Sequence, residues 1–363
     1  MSEERPSINV PGAGAVDAKR KAEYLRNRVR PVDFDQISSV ADLVGAMRGA
    51  SIQARNLGLC AEVLDNLYAD PTRPTVMLGL AGPLIAAGLR KVLRDLVAGG
   101  FVDVIVSTGA ILYQDIYQAR GFGHYTGDPN ADDAELRELL IDRIYDTYVD
   151  EEKFMETDTW LGYVADELPP GNYSSRAYME FVGSKLSDEQ SIVRTAYQRG
   201  VPMFVPALND SSIGIGLTHH YHRATLAGRP KLAIDSIRDN YELTQIVVKS
   251  PQTAALYIAG GVPKNYINDS VVMAYIFNEE KGHSYALQLT ADVPHWGGLS
   301  GSTLKEAMSW GKIQAKATTA MCFVEPSVSL PLLAGYALQR KLAAGRPPLK
   351  LEWDNDILRS LSR

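Results

Sequence analysis

The sequence predicts an α/β fold of the Rossmann-like, doubly wound kind, with a mostly parallel sheet and helices on both faces. A unit of short apolar strand, small-residue turn and amphipathic helix recurs along the chain, and alternating strands and helices argue for a parallel sheet covered on both sides. The turns fall where the strands end, which is where such sheets bind ligands. With 363 residues, 45% of them hydrophobic and 22% charged, the chain can bury a large core.

The elements follow in order. Residues 1–33 read as an N-terminal arm, polar and broken by Pro6, Pro11 and the Gly12 to Ala15 alternation. From Phe34 to Leu67, apolar positions at helical intervals (Ile37, Val40, Leu43, Val44, Met47; then Leu57, Val63, Leu64, Leu67) predict two helices. Val76 to Leu80 then leads through Gly82 into a helix over Leu84 to Val97, and Val102 to Val106 leads through Ser107, Thr108 and Gly109 into another. Met203 to Val205 leads through Asn209 and Asp210 into a further turn, and later units begin at Leu232, Ala255, Ala286 and Ala320. The stretch 120–170, with GFGHYTGDPNADD and acidic helices, interrupts this rhythm and reads as an insertion within a single domain spanning 34–350. Residues 351–363 are a C-terminal tail. No GxGxxG follows any strand, so an ordinary dinucleotide fingerprint is absent.

Composition excludes several classes. A net charge of -6 argues against a nucleic-acid partner and is compatible with cationic small substrates. Cys60 and Cys322 are far apart with no CxxC, so neither a disulfide framework nor a cysteine zinc site is indicated. No apolar run approaches the roughly 20 residues that span a membrane, and the first residues lack the apolar core of a signal peptide, so a cytoplasmic, membrane-free protein is expected. The cluster Thr218-His219-His220-Tyr221-His222 is not read as a metal site. Adjacent histidines point in different directions and no carboxylate completes a set, so surface or interface histidines are expected and no metal.

The stretch from Thr290 to Ile313 carries the chemistry. Thr303 followed by Glu306 fits a capping box, so a short helix should begin near Thr303 and end at Gly311, where a left-handed residue is favoured. Glu306 and Trp310 then share a face, and Lys312 sits just past the cap beside an indole. A lysine becomes a useful amine nucleophile when burial or a neighbouring cation favours its neutral form, and an aromatic wall gives both desolvation and a face for a cation. On spacing alone the same residues also fit a plain helix cap, a core indole and an exposed lysine.

The string Glu306-Ala307-Met308-Ser309-Trp310-Gly311-Lys312-Ile313 resembles the active-site segment of the deoxyhypusine synthase family. SIQARNLG at Ser51, VDVIVSTGA at Val102, VPALNDSSIG at Val205 and GGVPKN at Gly260 reinforce the resemblance in the same order, from about Phe34 to Leu342. The HWGGLSG loop, Pro263-Lys264-Asn265 and Asp210-Ser211-Ser212 are similar to the bacterial deoxyhypusine-synthase-like branch, which includes relatives similar to homospermidine synthase. The resemblance implies that Thr108, Gly109, Asp210, Gly260, Thr290, Ala291 and Glu325 hold NAD, Glu325 standing where aspartate is usual. Gly82 lies on the turn that would face the phosphates, with two polar side chains of the family lost but a helix N-terminus kept. It implies catalytic roles for Lys312, Glu306 and Trp310, and substrate contacts from Tyr113, Gln114, Asn265, Trp296, Gly297 and Leu299.

The departures concern the amine. Tyr113-Gln114 replace paired glutamates of the eukaryotic enzyme, Ile215 replaces an aspartate, Asn265 a histidine, and the loop acids near Gly297 are missing. Against the bacterial branch, Ile111 and Gln114 replace asparagine and histidine. Glu306 and Asp292 remain as nearby acids, so the pocket is expected to hold one ammonium well and a second poorly. The implied function is NAD-dependent transfer of an aminobutyl group, through an imine on Lys312, between small amines of the putrescine and spermidine class. The site is expected between subunits of a homotetramer. Modification of a protein lysine, or a diverged NAD-binding protein, are the alternatives.

Overall fold

Every residue of Thr75–Leu80 and of Thr253–Ile258 is buried, because the two segments lie side by side at the centre of a sheet covered on both faces. The computed structural model describes residues 17–363. It contains six central strands, β1 (Thr75–Leu80), β2 (Val104–Ser107), β3 (Met203–Phe204), β4 (Thr253–Ile258), β5 (His283–Leu289) and β6 (Ile313–Cys322). Their spatial order is β6-β5-β4-β1-β2-β3, and every neighbouring pair is parallel. This is the order of a Rossmann sheet, whose direction of winding reverses between β1 and β4.

Side chains alternate faces along each strand, giving two cores. Leu78, Leu80, Ile105, Leu256 and Leu287 enter one, with the helices Ile52–Ala69 and Pro326–Gln339. Met77, Val104, Val106, Ala255 and Tyr257 enter the other, with Ser236–Lys249 and Gly261–Met273. Each fully buried Leu or Val contributes about 2 kcal/mol.

Three local readings are corrected. After β1 the helix spans Arg90–Ala98 and not Leu84 to Val97. Gly82 and Gly88 take φ of +85° and +80°, so the segment between them turns tightly, although Leu84 and Ile85 are buried as a helical pattern would suggest. The strand at Leu232–Ile234 lies outside the central sheet and pairs in parallel with Gly171–Tyr173; with Ala233 exposed it is only half covered. Of the histidines, His220 is buried, not superficial. Its Nδ1 lies 2.7 Å from Asp166 Oδ1, and its Nε2 accepts the Leu232 N–H at 3.3 Å.

The 120–170 stretch carries an antiparallel sheet of Tyr125–Thr126, Thr147–Asp150 and Ile141–Ile144, then the helix Glu151–Asp166. That helix crosses Ser212–Leu226 closely at two glycines: a Cβ on Gly162 would lie 2.8 Å from the Gly216 oxygen, and one on Gly216 would lie 2.7 Å from the Asp158 oxygen. The C-terminal residues form a hairpin, Lys350–Asp354 with Ile357–Ser362, whose Trp353 lies under the Arg176 guanidinium at 4.1 Å. The first sixteen residues of the arm lie outside the described residues; from there Asp17 caps the helix Ala18–Tyr24, which buries no side chain.

One irregularity concerns β6. His283 pairs with Ile313 but Tyr285 with Thr318, so five residues of β6 run opposite two of β5.

Candidate active site

All six central strands end towards one edge, and every residue expected to hold NAD lies there. The helices that follow β2, β3 and β4 begin at Gly109, Ser212 and Gly261, and in none does the N-cap side chain hold the first amides. The first amides at Gly109 and Ser212, with their positive helix ends, suit an anion, whereas the Gly261 N–H donates to Ser300 Oγ at 2.9 Å. Thr108-Gly109 sits directly on the β3 turn: a Cβ on Gly109 would come within 2.2 Å of Ser211 Oγ. At the end of β4 Ala259 is held at φ +61°, a strain of the kind that clusters at ligand sites, while Gly261 takes φ +63° at no such cost. Asp210 is exposed and its carboxylate makes no hydrogen bond among the described residues. Thr290 is buried, its Oγ1 accepting the Asp292 N–H at 3.1 Å, with Ala291 exposed beside it. The Glu325 carboxylate is engaged, capping Pro326–Gln339 through the Ser327 N–H at 2.8 Å. Free amides, a Cβ-free turn at Gly109 and the free Asp210 make a set that fits a dinucleotide.

The loop from Ala291 to Ser302 is pinned onto this edge. The Lys264 ammonium, on a side chain 1% exposed, donates to Ser302 O at 2.6 Å, Ser302 Oγ at 3.0 Å, Leu299 O at 3.1 Å and Ser300 O at 3.4 Å. Gln288 Nε2 bridges Ala259 O at 2.8 Å and Ser300 O at 2.7 Å. Burial pushes the Lys264 pKa down to about 8, against the opposing charges of Glu306 and Asp292.

The helix Leu304–Ser309 begins and ends as local chemistry dictates. Thr303 Oγ1 accepts the Glu306 N–H at 3.0 Å. Gly311 takes φ +69°, with Gly311 N–H to Met308 O at 3.0 Å and Lys312 N–H to Ala307 O at 3.1 Å, which is the Schellman pattern. This turn aims Lys312 back along the helix. Its Nζ lies 5.4 Å from the Trp310 ring centroid and 3.1 Å from Asp269 Oδ1, with the lysine side chain 14% exposed.

The expected site residues divide into groups. Trp310 and Lys312 meet directly, and Asn265 joins them through Asp269, to which its Nδ2 donates at 2.9 Å. Glu306 is exposed and is not the carboxylate paired with Lys312. Trp296, Gly297 and Leu299 form an exposed rim. Tyr113 and Gln114 stand apart: the Tyr113 hydroxyl donates to Phe154 O at 2.9 Å, and Gln114 Oε1 accepts the Ala86 N–H at 3.2 Å. They follow β2, four strand intervals from β6, or roughly 19 Å across the sheet.

Sequence reasoning missed Asp269. It lies 43 positions before Lys312, and the signal for it was the helical i,i+4 step from Asn265. It also missed Asp158, which the 120–170 stretch places beside the Tyr113 hydroxyl; burial pushes its pKa up to about 6.

Residues 42–337 match the family model described as deoxyhypusine synthase. The chain is 42% identical over 336 residues to the deoxyhypusine synthase-like protein of Chlorobaculum tepidum, covering 90% of this chain and 94% of that one. It is 41% identical over 329 residues to a protein of Methanosarcina mazei named "Probable deoxyhypusine synthase 2", covering 89% and 93%. In three dimensions it is similar to a crystal structure from Entamoeba histolytica provisionally assigned as a deoxyhypusine synthase, with a TM-score of 0.60, 18% identity, and coverage of 86% and 97%. At that identity the last likeness bears on the fold alone. Among the described residues no helix is long and apolar enough to cross a membrane.

Proposed function

Since the chain belongs to the deoxyhypusine synthase family, we propose that it is an NAD-dependent aminobutyl transferase acting on small amines in the cytoplasm, in the manner of homospermidine synthase. The observation that carries the reading is Lys312, held on a Schellman turn against the Trp310 face and beside a single carboxylate.

NAD, when bound, supplies a reversible hydride acceptor for the carbon beside an amine nitrogen. The amides at Gly109 and Ser212 would receive its phosphates, and Asp210 a ribose. At the oxidised carbon, Lys312 Nζ forms a new C–N bond while the bond to the donor nitrogen breaks and that nitrogen leaves as an amine. An acceptor amine then reverses the exchange and restores Lys312. The Trp310 face steadies the positive charge on the lysine-bound carbon–nitrogen unit throughout. No net oxidation results, because the hydride taken at the start would be given back to the transferred carbon–nitrogen unit to leave an amine, so the cofactor would be retained.

Trp296 and Trp310 are 79% and 66% exposed, too open to keep water from an imine. Tyr113 and Gln114 lie roughly 19 Å across the sheet from the lysine. Both facts support a site completed by a second copy of the chain, and we propose a homotetramer. Incubating the protein with NAD and putrescine, spermidine or agmatine, followed by borohydride reduction and peptide mass analysis, tests the reading. An aminobutyl adduct on the Lys312 peptide is expected. Turnover without an adduct, or stoichiometric NADH accumulation, would overturn it. Transfer to a protein lysine instead of a free amine would favour deoxyhypusine synthesis.

A further inference from the structure

The exchange of nitrogens at Lys312 moves a proton as well as a bond. On bonding, the lysine nitrogen holds a proton too many, and the departing nitrogen holds one too few to leave as an amine. A carboxylate only accepts and an indole N–H only donates, so neither Asp269 nor Trp310 can take and give at once. A hydroxyl can.

The chain between the helix Gly261–Met273 and β5 brings one to the lysine turn. Residues 274–283 fold around that turn: the His283 N–H donates to Lys312 O at 3.1 Å, and Gln314 Nε2 donates to Gly282 O at 2.9 Å. The Tyr275 hydroxyl is packed on Gly311, where a Cβ would come within 2.6 Å of its oxygen. It therefore lies against the residue next to the nucleophile. The placement is fixed from several sides. Ala274 is fully buried, and the Phe277 ring stacks on Tyr241 with centroids 5.8 Å apart. The turn closes with Asn278 N–H to Tyr275 O at 2.9 Å and Glu279 N–H to Ala274 O at 3.2 Å, Asn278 taking φ +57°. The Tyr275 side chain is left 44% exposed, so a substrate can reach it. Gly311 is required twice, for its φ of +69° and for the space that its missing Cβ leaves to the phenol oxygen.

Resting on the function proposed above, we propose that Tyr275 is a further catalytic residue, whose hydroxyl relays the proton between the two nitrogens that change places on the transferred carbon. Lys312 enters this step as the neutral amine, its resting proton lost to water. Its lone pair forms the new C–N bond while the π pair of the protonated donor imine moves onto the donor nitrogen, so that one carbon carries both nitrogens. The Tyr275 oxygen accepts a proton from the lysine nitrogen as its own proton passes to the donor nitrogen. The C–N bond to the donor then breaks with its electron pair on that nitrogen, which leaves as a neutral amine, and Lys312 keeps the carbon as a protonated imine. The phenol ends unchanged and uncharged. The acceptor amine uses the same relay in reverse.

Timed borohydride trapping under single-turnover conditions, with the full-length, NAD-loaded protein in excess over putrescine, gives the rate at which the Lys312 adduct forms. Tyr275→Phe, which keeps the ring and its packing, is expected to slow adduct formation about a hundredfold, the scale of a positioned acid–base group. Because a relay speeds both directions alike, the final amount of adduct is expected to be unchanged. Cofactor reduction, which precedes the exchange, is expected at the wild-type rate, and putrescine affinity by calorimetry and melting temperature should match wild type. Adduct formation at the wild-type rate in Tyr275→Phe would overturn the assignment, as would a loss matched by slower cofactor reduction, weaker putrescine binding or a lower melting temperature. If wild type itself never gives an adduct with any donor, the proposed function fails; if wild type gives one and Tyr275→Phe equals it, the function stands and only the relay is wrong.

Discussion

Two lysines on neighbouring elements have opposite surroundings. Lys264 is sealed in, and its ammonium faces four oxygens, three of them backbone carbonyls, more acceptors than it has protons to give. Lys312 has one carboxylate and the face of an indole. A lysine saturated by the backbone is a staple, because moving it would orphan several carbonyls at once. A lysine whose single partner is a partly exposed side chain can exchange that partner. Burial alone would single out Lys264; the count and kind of partners leave Lys312 as the more exchangeable amine, which is the lysine the proposed function uses.

The contrast breaks most sharply on Lys312 itself. Lys312→Ala and Lys312→Arg are expected to reduce transfer to background and abolish the borohydride adduct, with little change in melting temperature, since arginine keeps the charge but cannot form the imine. Lys264→Met should do the reverse. It leaves backbone acceptors unsatisfied and is expected to cost about 3 kcal/mol of stability in denaturant titration; a stable variant with normal activity would end the staple reading.

Lys264 also has a pH signature. Its pKa falls from 10.5 unfolded to about 8 folded, so between those values the unfolded chain binds the extra proton. Wild type should therefore gain stability relative to Lys264→Met as pH rises from 8 to 10.5, and lose it as pH falls through 8.

His283 tests the acid side. It is fully buried, its Nδ1 lies 2.8 Å from Thr253 Oγ1, and its backbone N–H donates to Lys312 O at 3.1 Å. Burial pushes its pKa down from 6.5 to about 4. The unfolded chain takes up the proton first, so stability should fall as pH drops from 6.5 towards 4, and replacing His283 by Gln should flatten that slope in melting curves. The smallest effect is expected from Trp310→Ala, which removes a cation–π contact worth about 1 kcal/mol and should slow transfer about fivefold with the adduct still formed.

What was legible in the sequence was what local chemistry decides. Thr303 and Gly311 bound a six-residue helix because a hydroxyl cap and a left-handed glycine act within one turn. The strands were readable because a doubly covered sheet demands unbroken apolar runs. The helix after β1 was misplaced because Leu84 and Ile85 are buried in a turn with the spacing that burial in a helix would require. Asp269 was only half legible: its i,i+4 step from Asn265 lies in the sequence, but its pairing with Lys312 is set by how Gly261–Met273 crosses the Lys312 turn, and no spacing along the chain encodes that crossing. Tyr113 and Gln114 were grouped with the lysine by resemblance, and one chain keeps them four strands away.

The mismatch in β6, five residues set against two of β5, gives the lysine segment mechanical slack. Gln314, Ala315 and Lys316 are exposed there, and the ladder resumes only at Thr318. On the proposed function, a displacement of Lys312 would be absorbed by this excursion and would not be passed into the registered part of the sheet. Amide exchange should divide sharply at Thr318, with fast-exchanging positions before it and slow ones after, like a spliced cable in which only the far side carries the load.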